Sequence, residues 1–293
     1  MSLARTHKPG VGGSNPPLAT IIMNKLNMYC LTLNPNHFKL IKDLNYFPVG
    51  LGQEKFSNEW LKDNTGNNIT KKNKYYGEYT FHYWIWKNYL NRIDDNWIGF
   101  CQYRKFWINK GSLKEVNQLK DLKDIVLNKI PDDLNHYESI IGDPIFVNKF
   151  RFSKFIKHNF KKMISSPSLL FDKKKRNLKF HFDLWHGHGN LERAISHLDT
   201  KDKIDFTNFM NDNVSFNPHN MFICKSKEIL KKYYENIFPW LERCEDEFKT
   251  LKLDGYGTQR LYGFLAERYM SYWFQKNTKF KTLPICYKDI TDF

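Results

Sequence analysis

The stretch WIGFCQYRKFW, residues 97–107, constrains the fold more than any other part of the sequence. Its first five positions offer no polar face, and a strand that is apolar on both sides is typical of a parallel sheet covered by helices on both faces. The stretch then ends in Gln102, Tyr103, Arg104 and Lys105. Because ligands of open α/β sheets bind beyond the carboxyl ends of the strands, the sequence predicts an α/β fold with a cationic, ligand-facing strand end. The alternative is that Arg104 and Lys105 are solvated residues that leave the sheet.

The remaining hydrophobic periodicity indicates alternating strands and helices, an order typical of α/β layers. We expect residues 28–293 to form one domain, with a helical insertion at about 149–210. The predicted elements are a strand at 28–33, a helix at 37–44, a turn at 48–52, a helix at 75–91, a strand from 97, a helix at 113–129, short strands within 138–147, a helix at 183–198, a strand at 220–224, and closing helices at 227–247, interrupted at Pro239, and at 256–276.

Residues 1–27 differ from the rest, because they are rich in Gly, Pro and Ser and show no periodicity. They also lack the basic-then-apolar order of a signal peptide. We expect an unstructured extension, or residues that precede the true start of translation at Met23 or Met28.

Composition narrows the class of protein. A hydrophobic content of 41% indicates a globular chain, and no apolar run approaches the roughly 20 residues of a membrane span. The five cysteines are scattered and none forms a CxxC, which argues against a zinc site or a disulfide framework and favours the cytoplasm. The formal charge of +15 favours polyanionic partners, namely nucleic acid, an anionic membrane face or phosphorylated substrates.

The predicted helix at 75–91 is unusually aromatic. Tyr79, Tyr83 and Trp86 recur on one face and are explained by core packing. Glu78 and Lys87 are different, since a charge on such a helix is costly to bury unless it is paired. One interpretation is that Glu78 or Lys87 has a functional role. The other is that Glu78 is paired and that Lys87 extends its ammonium group to solvent.

A series of ordered motifs resembles a bacterial family, a domain of unknown function associated with capsular and exopolysaccharide glycosyltransferases. That family typically shows Glu-Leu-Thr before a Tyr-Trp pair and His-Tyr-Arg-Arg at the strand end, whereas this chain has Tyr79, Gln102 and Lys105 at three of those positions. The resemblance covers roughly residues 28–277. Its motifs here are Asp63-x-x-Gly66-x-x-Ile69, Glu78-Tyr-Thr-x-x-Tyr83-Trp84-x-Trp86-Lys87-Asn88, Ile98-Gly99-x-x-x-Tyr103-Arg104-Lys105-Phe106, Asn220-Met221-Phe222-Ile223 and Tyr262-Gly-Phe-Leu-Ala-Glu267-Arg268.

The resemblance implies a GT-A-like fold, a mostly parallel central sheet flanked by helices. It also implies transfer of a sugar from a nucleotide-sugar donor to a glycan or lipid-linked acceptor in surface polysaccharide synthesis. By this resemblance, Arg104 and Lys105 would contact the donor's diphosphate, with Arg104 also counted as catalytic. The other donor-binding candidates are Asp63, Asn64, Gly66, Glu78, Lys87, Gln102 and Tyr103.

The chain departs from GT-A enzymes at the position of their metal-binding motif. Their corresponding strand ends in an Asp-x-Asp motif that holds a divalent ion, and no carboxylate stands in residues 102–105. A Mn²⁺ or Mg²⁺ ion would need other ligands, such as Asp63 or Asp143. The alternative, which we favour, is that the cations of the protein neutralise the leaving diphosphate.

Inverting transfer also needs a general base for the acceptor hydroxyl. Glu267 is the main candidate, because it stands on a helix with apolar neighbours, where a carboxylate is either paired or perturbed. The structural alternative is an ion pair with Arg260 or Arg268. Asp183, Glu192 and Glu78 are weaker candidates.

The run Trp185-His186-Gly187-His188-Gly189 has three interpretations. HxH can place two imidazoles on one side of a strand, but without a nearby carboxylate it is a weak zinc signal. An acceptor-binding loop that uses His186 and His188, together with Asn220, is favoured over zinc. A purely structural role stays open.

The basic section at 149–163 is amphipathic if it is helical, which is typical of a membrane-surface segment. The enzyme would then bind the inner leaflet peripherally, although a solvated helix packed by its phenylalanines explains the pattern equally well. A different class of function, a non-catalytic nucleic-acid-binding protein, is supported by the net charge. No RRM, KH, helix-turn-helix or zinc-finger pattern supports it.

Overall fold

The computed structural model describes residues 25–94, 96–112, 115–148 and 176–293. The predicted extension, apart from its last three residues, and the basic section at 149–163 lie outside the described residues. Strand β1 begins at Leu26, two residues before the predicted start.

A central sheet organises the described part of the chain. Along its main path the strands are β3 (Leu61–Lys62), β2 (Phe47–Gly50), β1 (Leu26–Thr32), β4 (Trp97–Gln102), β9 (Phe222–Cys224), β6 (Ser139–Gly142) and β10 (Phe280–Leu283). Strands β5 (Lys105–Trp107) and β11 (Ile285–Tyr287) extend the sheet beside β4. Pairing is parallel from β3 to β4 and between β6 and β10, while β9 lies antiparallel to both its neighbours. The predicted mostly parallel α/β sheet is therefore confirmed. Two further strands, β7 (Ile145–Phe146) and β8 (Ser215–Phe216), pair with each other in a separate two-stranded sheet.

Helices cover both faces of this sheet. They are α1 (Phe38–Asp43), α2 (Asn73–Tyr76), α3 (Tyr79–Trp84), α4 (Leu119–Ile125), α5 (Leu178–His186), α6 (Asn190–Ser196), α7 (Thr200–Asp212), α8 (Lys227–Phe248), α9 (Tyr256–Gln259) and α10 (Leu261–Asn277). Within the described ranges, every helix is too short or too polar to span a bilayer.

The apolar strands explain why both faces are covered. Alternate residues of β1 and β4 point to opposite sides, and Tyr29 and Phe100 join a core that contains α3, α8 and α10. Cys30 and Cys101 join a second core on the other side, which contains α1 and α4. The absence of a polar face in β4 is thus satisfied by two separate cores.

Parallel register brings two strand ends together. Leu31 of β1 pairs with Gln102 of β4, so both strands end at the same edge of the sheet. A tight turn at Tyr103 and Arg104 then leads into β5, which pairs with β11 near the end of the chain. The backbone N–H groups of Lys288 and Ile290 donate to the carbonyls of that turn and fix it.

Several predicted elements differ in the structure. The predicted turn at 48–52 is wrong, because residues 47–50 form β2, which pairs with β1. The predicted helix at 75–91 is broken at Gly77, where φ is +58°, and continues after α3 as a π-helical turn at Ile85–Tyr89. The helix predicted at 183–198 is likewise two helices, separated by Gly187 and Gly189 with positive φ.

The predicted interruption at Pro239 is also wrong, since α8 runs through it. A proline removes the donor to the carbonyl four residues earlier. That carbonyl belongs to the exposed Glu235, where water can replace the lost bond.

Candidate active site

Two adjoining cavities open at the carboxyl ends of β1 and β4. The first cavity has a volume of about 240 Å³ and the second about 130 Å³. Both are walled by Glu78, Gln102, Arg104 and Arg260. The first cavity is further lined by Leu31, Thr32, Leu33, Leu51, Asn73, Lys74, Gly77, Tyr103 and Gln259, and the second by Lys105, His219, Asn220, Gly263, Phe264 and Glu267.

Cationic side chains outnumber anionic ones along these walls. Lys74, Arg104, Lys105 and Arg260 are cations, and Glu78 and Glu267 are the only carboxylates among the lining residues. Such a surface attracts a dianionic or polyanionic ligand.

The tip of β4 is held in place by polar contacts. The Gln102 amide donates to the carbonyl of His219 at 2.9 Å, and the Lys105 ammonium donates to the Gln102 side-chain oxygen at 3.1 Å. Burial lowers the pKa of Lys105, and the neighbouring Arg104 and Arg260 lower it further, against the opposing effect of Glu78 and Glu267. The structure therefore brings the predicted Gln102, Arg104 and Lys105 together around the cavities.

Tyr103 and Arg104 form one side of the first cavity. The Tyr103 ring lies 5.1 Å from the buried His37 imidazole, centroid to centroid, and the Arg104 guanidinium carbon lies 5.0 Å from the Tyr103 ring centroid. Arg104 is exposed, so its planar fork is available to phosphate oxygens in the cavity.

Glu267 lines the second cavity but has both oxygens engaged. One accepts the backbone N–H of His219 at 2.5 Å, and the other accepts from the Arg268 guanidinium at 2.6 Å. Arg268 is only 2% exposed, and its guanidinium carbon lies 3.4 Å from the Phe216 ring centroid. Of the two partners that the sequence left open for Glu267, the structure selects Arg268.

Glu78 and Arg260 form the second ion pair of the site. The Arg260 Nη2 lies 3.2 Å from Glu78 Oε2, and the two side chains are 29% and 18% exposed. This guanidinium also lies against Gly77, where a Cβ atom would approach Arg260 Nη2 to 2.1 Å. The pair stands between the two cavities, because both residues line each of them.

An unusual turn precedes β9 at the floor of the second cavity. His219 and Asn220 have φ of 78° and 54°, a region that residues other than glycine rarely adopt. The turn is held by Glu267 and by a 2.6 Å hydrogen bond between His219 Nε2 and the Tyr287 hydroxyl. Burial, with a contribution from Lys105, lowers the pKa of His219 to about 3, so the imidazole is neutral near pH 7. Asn220, a predicted acceptor residue, lines the second cavity and donates to the Gly263 carbonyl at 3.3 Å.

Asp63 lies outside both cavities. It is fully buried and accepts hydrogen bonds from the Gly52 backbone N–H and the Thr70 hydroxyl, both at 3.0 Å. The Thr80 hydroxyl donates to its other oxygen at 2.5 Å. Burial raises the pKa of Asp63, against these hydrogen bonds. Its contacts connect the loop after β2 to the start of α3, and its full burial separates it from a ligand in the cavities.

Three other donor candidates, Asn64, Gly66 and Lys87, also lie away from the cavities. Asn64 is exposed, and Gly66 lies against Asn88, whose side-chain oxygen accepts the Asn67 backbone N–H at 2.9 Å. Lys87 is exposed and rests on the Trp86 ring at 3.4 Å. The structure does not bring these three residues to the cavity walls.

The two histidines of the HxH run point to different places. His186 is buried at the end of α5, donates from Nδ1 to the Gly257 carbonyl at 2.9 Å and stacks on Phe264 at 4.0 Å. His188 is 78% exposed and lies 3.4 Å from Asp183. The turn at Gly187 separates them, and the two imidazoles contact different residues. His186 lies behind Phe264, one residue removed from the second cavity.

Among the described residues, no group of three or more His, Cys, Asp or Glu side chains gathers in a metal-ligating arrangement. Asp143, which follows β6, is exposed, whereas Asp63 is buried. The two carboxylates of the cavities, Glu78 and Glu267, each face an arginine.

Sequence reasoning missed three residues of the site. Arg260 was considered only as a partner of Glu267, and Lys74 and His219 were not considered. A usable signal existed for His219, because the sequence Asn-Pro-His-Asn before a strand is rich in residues that form turns.

Comparisons with known proteins agree with this architecture. A family model described as "Domain of unknown function (DUF4422)" matches residues 30–278. An apo structure of WbbM, a bifunctional glycosyltransferase, superposes with a TM-score of 0.63 at 20% sequence identity. The alignment covers 90% of this chain and 45% of that one, so the chain spans about half the length of its structural neighbour. No curated protein matches the chain at a significant level.

Proposed function

Because the chain belongs to the DUF4422 family, and shares its fold with part of a bifunctional glycosyltransferase, we propose that it is itself a glycosyltransferase. It would transfer a sugar from a nucleotide-sugar donor to a glycan or lipid-linked acceptor in surface polysaccharide synthesis. The observation that carries this proposal is the cation-lined pair of cavities at the carboxyl ends of β1 and β4, since ligands of such sheets bind at that edge.

The donor's diphosphate is assigned to Arg104 and Lys105. Both line the second cavity beside Gln102, and Arg104 also faces the first. When the bond between the anomeric carbon and the diphosphate breaks, negative charge develops on the leaving oxygen, and preorganised cations stabilise it. The nucleoside is assigned to the larger first cavity, whose apolar wall is Leu31, Leu33 and Leu51.

The leaving group is neutralised by side-chain cations in this proposal. The carboxylates that a divalent ion would need are paired with Arg260 and Arg268, and four cationic side chains already line the cavities. Full turnover in EDTA is expected. Loss of activity that Mn²⁺ or Mg²⁺ restores would refute this part of the proposal.

The acceptor is assigned to the second cavity, where Asn220 and Phe264 offer an amide and an aromatic ring. Glu267 was predicted as the general base, but its oxygens already bind a buried arginine and a backbone N–H. We therefore assign Glu267 to positioning the turn at His219, rather than to proton transfer. The anionic membrane surface proposed as a partner concerns residues outside the described part and stays a prediction.

The test is turnover with UDP-, GDP- and CMP-linked sugars, comparing Arg104→Gln with Arg92→Gln. Arg92 is an exposed arginine that lines neither cavity. Loss of one charged contact to phosphate costs about 1.5–3 kcal/mol, so Arg104→Gln should reduce kcat/KM at least about tenfold, while Arg92→Gln should leave it unchanged. Stabilisation of the wild-type protein by a single-stranded oligonucleotide alone, at physiological salt, would instead favour nucleic-acid binding.

A further inference from the structure

The two ion pairs beside the cavities differ in how easily they can be broken. Arg268 is almost fully buried, contacts Glu267 at 2.6 Å and stacks on Phe216. Removing one partner of such a buried pair strongly destabilises the folded protein, because the other charge is left buried and unpaired. Arg260 contacts Glu78 at 3.2 Å and both side chains are partly exposed. Such a pair is less costly to break than a fully buried one, because solvent or a bound anion can replace the lost partner.

The position of Arg260 gives it a second potential partner. It lines both cavities together with Arg104, and Lys105 lines the second. It also directly precedes α10, whose N-terminal end adds positive potential in the same region. A diphosphate bound by Arg104 and Lys105 would therefore bring its negative charge close to a guanidinium that is paired with a partly exposed carboxylate.

We propose that Arg260 exchanges Glu78 for the donor's diphosphate, and that the released Glu78 carboxylate becomes the general base. This inference rests on the proposed function, because it needs a diphosphate in the cavities. Glu78 then takes the proton of the acceptor hydroxyl. The acceptor oxygen forms the new bond to the anomeric carbon, and the bond from that carbon to the diphosphate oxygen breaks, with its electron pair leaving on the diphosphate. Donor binding thereby activates the base, and an empty site keeps Glu78 paired.

Gly77 supports this arrangement. Its φ of +58° and the close approach of Arg260 require a residue without a Cβ atom. The guanidinium thus occupies the space that a side chain at position 77 would fill, and it borders both cavities beside Glu78.

The first test measures binding of inorganic pyrophosphate by titration calorimetry. Glu78→Gln removes the internal competitor of the anion, so affinity should rise about two- to fivefold. Arg260→Gln should lower affinity about tenfold, as expected for loss of a charged contact. The double variant should bind like Arg260→Gln alone, because the gain from Glu78→Gln requires Arg260. Asp43→Asn, which breaks the exposed Lys39 pair of α1, serves as the matched control and should change nothing.

The second test is transfer by the same variants with the donor that the wild-type protein accepts. Glu78→Gln should bind pyrophosphate more tightly and yet lower kcat at least about a hundredfold, which is the lower limit of the usual range for a lost general base. Circular dichroism and thermal melting show whether each variant is folded, and Arg260→Met, which also removes the charge, replaces Arg260→Gln if that variant does not fold.

The outcomes separate the two proposals. If wild-type protein binds neither pyrophosphate nor a nucleotide sugar, the proposed function fails. If wild-type protein binds pyrophosphate but Glu78→Gln binds it no more tightly, the exchange is refuted. If Glu78→Gln transfers sugar as fast as the wild type, the assignment of the base is refuted.

Discussion

Replacing Glu267 by glutamine tests whether this residue is a structural anchor or a free catalytic base. The substitution keeps the side-chain shape, and its carbonyl can still accept the His219 backbone N–H. What it removes is the negative charge 2.6 Å from the Arg268 guanidinium. Because Arg268 is 2% exposed, its charge would remain buried and lose its carboxylate partner.

The size of the effect follows from that burial. Breaking a buried ion pair from one side costs about 3–5 kcal/mol. The Glu267 side chain is 12% exposed, so some solvent reaches the pair, and a value at the low end, about 3 kcal/mol, is expected. For a chain of this size that loss corresponds to a fall in Tm of roughly 6 °C.

Urea denaturation followed by tryptophan fluorescence measures the loss. Arg268→Met with Glu267→Gln is the decisive companion, because it removes the stranded charge and fills its volume with an apolar side chain. That double variant should be more stable than Glu267→Gln alone. A free energy of unfolding within about 0.5 kcal/mol of the wild type for Glu267→Gln would refute the anchoring role, and would return Glu267 to consideration as the base.

Three further predictions concern pH and the backbone. Since burial lowers the pKa of Lys105, pyrophosphate affinity should fall as pH rises through that lowered value, and Lys105→Arg, which keeps its charge, should flatten the profile in calorimetric titrations. Gly77→Ala places a Cβ against a guanidinium at positive φ and should cost about 1–3 kcal/mol of unfolding free energy, whereas Gly111→Ala, at positive φ but with nothing within 4 Å, should cost less in the same denaturation assay. Burial lowers the pKa of His82 and of His186 to about 3, so these imidazoles stay neutral in the folded state while unfolded ones take up protons below about pH 6.5. The contribution of each histidine to the free energy of unfolding should therefore be fully present above that pH and fall by about 1.4 kcal/mol per pH unit as the pH decreases towards 3. His186→Phe should remove one proton from the slope of the pH-dependent unfolding curve.

The sequence predicted the parts of the fold that depend on local pattern. Trp97 to Cys101 lack a polar face, and that alone indicated a strand between two cores, which β4 confirms. Pro48 misled the prediction, because proline and glycine together are typical of turns. The segment is instead a strand, since its pairing with β1 gives β2 a place inside the sheet. Local composition cannot report such a partner.

The candidate site shows the same limit. Arg104 and Lys105 were predicted from their place at the end of an apolar strand, and both line the cavities. The partner of Glu78 could not be assigned, because Arg260 stands 182 positions further along the chain. Ion pairs at such separations leave no pattern in a single sequence.

The motif residues that lie outside the cavities still act on them. Asp63 accepts from the Thr80 hydroxyl at 2.5 Å, and the Asn73 amide donates both to Thr80 at 3.0 Å and to the Gly77 carbonyl at 3.1 Å. These bonds fix the bend that presents Glu78 to both cavities. The spacing of the motif from Asp63 to Glu78 is therefore explained by a supporting role, in which the buried Asp63 holds the bend that positions the Glu78 carboxylate. Removing the Asp63 charge should weaken the bend first, and binding in the cavities only through the displacement of Glu78.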